Sequence, residues 1–139
     1  MSQHTTLNKG EIYIQFTSPT AGKVSFKQLG ITPEMTEVKG GFLRIVFDFE
    51  GMGEHDYFKV PTIEISYDRE VPNTHWQCDF NGETLIDKID HYGKSTIILL
   101  NRDRLDKLEH HHENKLILHA EFPEEVHLIT EESSINFFK

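Results

Sequence analysis

Apolar residues recur at every second position over most of this chain, in short runs separated by turn residues. That rhythm predicts many short strands. In Glu11–Phe16 the side chains of Ile12, Ile14 and Phe16 share one face, because successive strand side chains point to opposite sides. Ser18 to Gly22 reads as a turn, and residues 23–29 resume with Val24 and Phe26 inward. Residues 30–41 hold Pro33 and two adjacent glycines and read as a loop. Residues 42–49 are the most apolar stretch, with Leu43, Ile45, Phe47 and Phe49 on one face and Phe42 and Val46 on the other. Apolar residues on both faces predict a central strand. Residues 50–54 read as a hairpin turn. Residues 57–67 read as a strand whose Pro61 belongs at an edge or a bulge. Trp76, Cys78 and Phe80 then alternate against His75, Gln77 and Asp79, a half-buried pattern. Ser95–Leu100 and residues 115–122, 126–130 and 135–138 complete the set of strands.

The period changes over residues 84–92. Leu85, Ile86, Ile89 and Tyr92 fall on one helical face, Thr84 and Asp87 resemble a capping box, and Gly93 sits where a C-terminal cap belongs. A short helix is predicted there, with a weaker one over residues 102–112. The expected fold is mainly β: an antiparallel two-sheet sandwich with one or two short helices, in a single domain spanning residues 1–139. An α+β arrangement is the alternative. Its core should contain Ile14, Phe16, Phe26, Ile45, Phe47, Ile63, Ile65, Trp76, Phe80, Ile98, Leu116 and Leu118.

A chain of 139 residues buries enough surface to fold without a disulfide or a metal. Its one cysteine, Cys78, excludes an intramolecular disulfide and suits a reducing compartment. The first residues lack the basic and apolar segments of a secretory signal. Its longest purely aliphatic run, from Ile97 to Leu100, is far short of the ~20 residues of a membrane helix. A cytoplasmic, soluble protein without membrane contact is the expectation.

The net charge of −9 is unevenly spread: residues 48–70 carry seven acids against two bases, and residues 121–139 five acids against one base. Such a surface repels phosphate backbones, which argues against nucleic acid as a partner. It would attract a basic protein and speed encounter with it. Asp48, Glu50, Glu54 and Asp56 are the expected contact residues. They also crowd, with His55, around the Gly51–Gly53 turn in a manner open to calcium, but without the ligand order of an EF-hand. A charged hairpin tip that discourages edge pairing explains them more simply.

Glu109-His110-His111-His112-Glu113 is the most conspicuous cluster. Imidazole and carboxylate suit zinc, iron or nickel. Glu109 and His112 would share an ion on a helix; His110 and His112 would share one on a strand. The third ligand would come from His119, His127, His75 or Asp79. A divalent transition metal at Glu109, His110 and His112 is therefore the one cofactor the sequence suggests. The alternative is a solvated polar loop. Catalytic residues are not identified: no nucleophile elbow is present, and Cys78 and His75 would face opposite sides of their strand.

Three functions follow as expectations. The first is a non-catalytic interaction module (an acidic adaptor, inhibitor or immunity-type protein). The second is a metal-binding protein or metal-dependent enzyme. The third is a self-assembling subunit that pairs through an edge strand or its C-terminal strand.

Overall fold

The computed structural model of the protein describes residues 3–8, 10–16, 23–50, 62–71, 74–101 and 113–136. Strands dominate them: β1 Gln3–Asn8, β2 Glu11–Phe16, β3 Lys23–Ser25, β4 Glu37–Glu50, β5 Thr62–Ser66 and β6 Trp76–Phe80. They continue as β7 Glu83–Thr84, β8 Ile86–Tyr92, β9 Ser95–Leu100, β10 Glu113–His127 and β11 Ser134–Asn136. A six-stranded sheet runs in the order β1-β2-β4-β10-β6-β7, and a five-stranded sheet in the order β3-β11-β5-β9-β8. The two pack as a β-sandwich. Among the described residues, no helix is long and apolar enough to cross a membrane.

The period-two pattern decides which faces meet. Leu43, Ile45 and Phe47 of β4, Leu116, Leu118 and Ala120 of β10, and Trp76, Cys78 and Phe80 of β6 are all buried. They face Ile63, Ile65, Ile98 and Ile135 of the other sheet within one continuous core. Every expected core residue is buried except Phe16, whose side chain lies outside the described residues. Removing any of the large ones, such as Phe47, should cost about 3–5 kcal/mol.

One pairing departs from an all-antiparallel sandwich. β2 and β4 run parallel, from Glu11 opposite Arg44 to Phe16 opposite Phe49. Between them the chain crosses to the second sheet to lay down β3, then returns. A parallel pair requires such a crossover.

Residues 84–92 are not helical. They form the end of β7 and all of β8, which pairs antiparallel with β9. Asn81 and Gly82 occupy the turn at φ of 50° and 86°, the left-handed pair that a tight two-residue hairpin requires. Thr84 Oγ1 donates to Asp79 Oδ1 across that hairpin instead of capping a helix. Gly93, at φ 55°, begins the two-residue turn from β8 to β9. Ile86 and Ile89, three residues apart, both pack on the core because a bulge between Ile86 and Lys88 sets them opposite Leu100 and Ile98 of β9. The second expected helix, over residues 102–112, lies outside the described residues.

Two other boundaries move. The expected loop over residues 30–41 contains a 3-10 turn, Pro33–Thr36, and the first part of β4. Residues 126–130 do not form a separate strand: β10 runs through Pro123 to His127, with a bulge between Phe122 and Glu125. The C-terminal strand docks in its own sheet, since β11 pairs with β3 on one side and β5 on the other. Both of its edges are used, so residues 134–136 offer none to another chain. Phe137 and Phe138 lie outside the described residues.

Candidate functional site

β4 is longer than the strand beside it, and that mismatch opens an edge. β2 pairs with β4 only from Arg44 onward. Residues 37–43 are held by β10 on one side and, among the described residues, by no strand on the other. The edge begins where Gly10 O accepts the Arg44 amide at 2.8 Å. Gly10 lies at φ +77°, and a Cβ there would stand 3.0 Å from both the ring and the carbonyl oxygen of Phe42. A glycine is needed at this junction for backbone conformation and close approach together. Gly40 and Gly41, at φ +76° and +119°, bend the open stretch opposite the bulge of β10.

A cleft of about 960 Å³ lies along this edge, lined by Gly10, Glu34, Met35, Glu37, Lys39 and Phe42 among others. Phe42 is 45% exposed and packs on His119, with ring centroids 5.7 Å apart. The cleft therefore combines a free backbone edge, an exposed ring and two carboxylates against one ammonium group.

At the start of β4, the register assembles a second cluster. Glu37 stands opposite His127 and Lys39 opposite Glu125. Glu125 and His127 are two residues apart on β10 and so share a face. The ligand atoms of Glu37, Glu125 and His127 all lie within 4.8 Å of one another. His127 Nε2 is 3.9 Å from Glu37 Oε2, and its Nδ1 is 3.6 Å from Asp68 Oδ2. Asp68 is itself anchored: its Oδ1 accepts the His127 amide at 3.1 Å, and Arg69 nitrogens lie 3.4 Å from its two oxygens. Burial acts to raise the Asp68 carboxyl, but the His127 amide and the Arg69 guanidinium outweigh it and hold it below its ordinary range. Lys39 Nζ sits 3.4 Å from Glu37 Oε1.

The residues expected from sequence are placed as follows. Asp48 is half-buried and its carboxylate accepts the Tyr13 hydroxyl. Glu50 ends β4 directly opposite Glu113, the first residue of β10. Glu54 and Asp56, and the metal candidates Glu109, His110 and His112, lie outside the described residues. His119 sits on the outer face beneath Phe42, His75 is exposed, and Asp79 is engaged by Thr84. Cys78 is buried, and that burial, with the neighbouring Asp79 charge, pushes its thiol far above its ordinary range. It is a packed core residue, unsuited to act as a nucleophile.

In the sequence His127 stands out only as one of four possible third ligands, and neither Glu37 nor Glu125 stands out at all. Glu37 falls inside the expected loop, so nothing local shows that it enters a strand. The spacing of Glu125 and His127 is the one signal present, and it becomes informative only once β10 is known to pass Pro123 unbroken. No family model matches the chain, and a search of curated proteins returned no match.

Proposed function

We propose that this protein is a non-catalytic interaction module that receives an extended, basic segment of a protein partner along the open edge of β4. The observation that carries the reading is the edge over residues 37–43, unpaired among the described residues, beside a cleft. An added strand gains main-chain hydrogen bonds from such an edge, and its alternate side chains fill the adjacent cleft. Glu34 and Glu37 at the cleft, and the net charge of −9, favour lysine and arginine in the incoming segment. The acidic stretch containing Asp48, Glu50, Glu54 and Asp56 serves in this reading to speed encounter. The single buried thiol suits a cytoplasmic setting.

The test is selection of random peptides displayed against the untagged protein, followed by amide-resolved NMR with the enriched sequences. Enrichment of basic, alternating peptides that shift the amides of residues 37–43, weakened at least tenfold by Phe42→Asp, is the expected result. Enriched peptides that leave those amides unmoved would sink the edge as the docking site. Self-association through the same edge would appear as concentration-dependent shifts without any peptide, and would replace the partner with a second copy.

A second reading is supported by one relationship. Glu50 and Glu113 pair across the end of the sheet, so the chain leaves β4 toward Glu54 and Asp56 where it enters β10 from Glu109, His110 and His112. In this reading a transition metal is held by Glu109, His110 and His112. Untagged protein should then contain stoichiometric metal that the His110→Ala/His112→Ala double variant loses.

A further inference from the structure

We infer that His127, Glu37 and Glu125 form a binding site for one divalent transition-metal ion, with Asp68 positioning the imidazole. This site uses none of the residues of the histidine run at 109–113, and it shares Glu37 with the peptide edge. Its donor set is one imidazole and two carboxylates, a combination that suits zinc.

Three features carry the inference. The first is convergence: antiparallel register sets Glu37 opposite His127, and the two-residue spacing puts Glu125 on the same face. The three donor atoms lie within 4.8 Å of one another. The second is spacing. Zinc–ligand distances of about 2.0–2.2 Å place two donors roughly 3.4 Å apart at the tetrahedral angle. The Nε2 to Glu37 Oε2 distance of 3.9 Å and the 4.8 Å limit for the set are therefore slightly open. Glu37 and Glu125 are exposed, so small side-chain rotations close them on an ion. The third is orientation. Metal-bound histidines commonly present their second ring nitrogen to a carboxylate, which fixes the ring. Asp68 lies on the Nδ1 side, 3.6 Å away and one small rotation short of a hydrogen bond that would fix the ring, and Glu37 lies on the Nε2 side.

The cluster is not closed as a hydrogen-bonded network. Both contacts of the His127 ring with carboxylates exceed hydrogen-bond length, at 3.6 and 3.9 Å. Lys39 opposes an ion, because its ammonium already neutralises Glu37 from 3.4 Å. Water or a partner group would complete the coordination sphere, since the protein supplies three donors.

The test is zinc titration of untagged full chain, followed by calorimetry, with cobalt(II) absorption as a second readout. The background is the His110→Ala/His112→Ala double variant, so that the histidine run at 110–112 cannot supply the signal. One equivalent of zinc should bind, and His127→Ala or Glu37→Gln should weaken it at least tenfold and abolish the cobalt bands. Asp68→Asn should weaken it by about 10-fold, and Lys39→Ala should tighten it. These side chains are at the surface, and unchanged circular dichroism verifies that each variant folds. Zinc affinity and cobalt spectra unchanged by His127→Ala would overturn the assignment, as would a background variant that binds no zinc.

Discussion

Trp76 Nε1 donates a 2.6 Å hydrogen bond to Tyr67 Oη, joining a core strand of the six-stranded sheet to the residue that follows β5 in the other. The bond belongs to a chain. Tyr67 Oη also lies 2.8 Å from Thr96 Oγ1, which lies 3.1 Å from His91 Nδ1 at the surface. Trp76 can only donate, so the phenol takes the Trp76 proton bond as acceptor and is free to donate to Thr96. Tyr67 and Trp76 also each pack edge-on against Phe122. The polar chain and the aromatic cluster thus fix how the two sheets meet at this end.

Tyr67→Phe keeps the ring and removes the shared oxygen. It leaves the Trp76 indole N–H buried without an acceptor, and the expected loss is about 1–3 kcal/mol. Urea unfolding of the two proteins measures it. A change below a few tenths of a kcal/mol would mean that the chain contributes nothing to the seam.

Alkaline pH should destabilise the fold. Burial raises the Tyr67 phenol despite its bonds with Thr96 and Trp76, and burial also raises the Cys78 thiol. Both folded-state values lie above the unfolded ones, so the unfolded chain loses these protons first. Stability is therefore fully present below the ordinary thiol value of 9.0 and falls as pH rises through it and through the ordinary phenol value of 10.0. Unfolding free energies from pH 8 to 11 should decline in the wild type. The decline should be shallower in a Tyr67→Phe/Cys78→Ala double variant.

The hairpin between β6 and β7 depends on its turn. Gly82 lies at φ +86° with open space around a would-be Cβ, so Gly82→Ala should cost only the left-handed backbone penalty of about 1–2 kcal/mol. Asn81→Gly should tolerate the φ and yet lose the side-chain bonds to Asn114 and to the Lys115 amide. Thermal unfolding of both variants separates the conformational contribution from the side-chain clamp.

Thr74 buries a hydroxyl that finds no hydrogen-bond partner among the described residues. Replacing it with the near-isosteric valine removes a desolvated polar atom, and Thr74→Val should leave stability unchanged or raise it. A loss above 1 kcal/mol in denaturant titration would reveal a partner for that oxygen.

If the acidic stretch speeds encounter with a basic partner, Glu54→Lys with Asp56→Lys should slow association with a selected basic peptide. The salt dependence of that association rate should flatten as well. Stopped-flow measurement at two ionic strengths reads both. Unaltered rates would confine the electrostatic contribution to the cleft.

Much of the sandwich is legible in the sequence because strand alternation is a local signal. Trp76, Cys78 and Phe80 alternate with polar residues and are buried; Leu116, Leu118 and Ala120 share one buried face at the same period. A two-faced apolar pattern likewise identifies β4 as central, and Val46 is buried on its outer face while Phe42 is not. Asn81-Gly82 is a local hairpin signal too, and it outweighs the helical spacing of Leu85, Ile86, Ile89 and Tyr92. A strict period of two would put Ile86 and Ile89 on opposite faces; the bulge between Ile86 and Lys88 turns both to the core, Tyr92 is left exposed, and pairing with β9 decides the conformation.

What tertiary structure alone decides is which distant segments meet. The parallel register of β2 on β4, and hence the open edge, depends on where one strand stops against another. Glu37 and His127 become neighbours through the pairing of two strands whose own patterns carry no record of their register at that end. Side-chain alternation is a property of each strand, whereas a site built across strands is a property of their alignment. That alignment is set by the packing of the whole core.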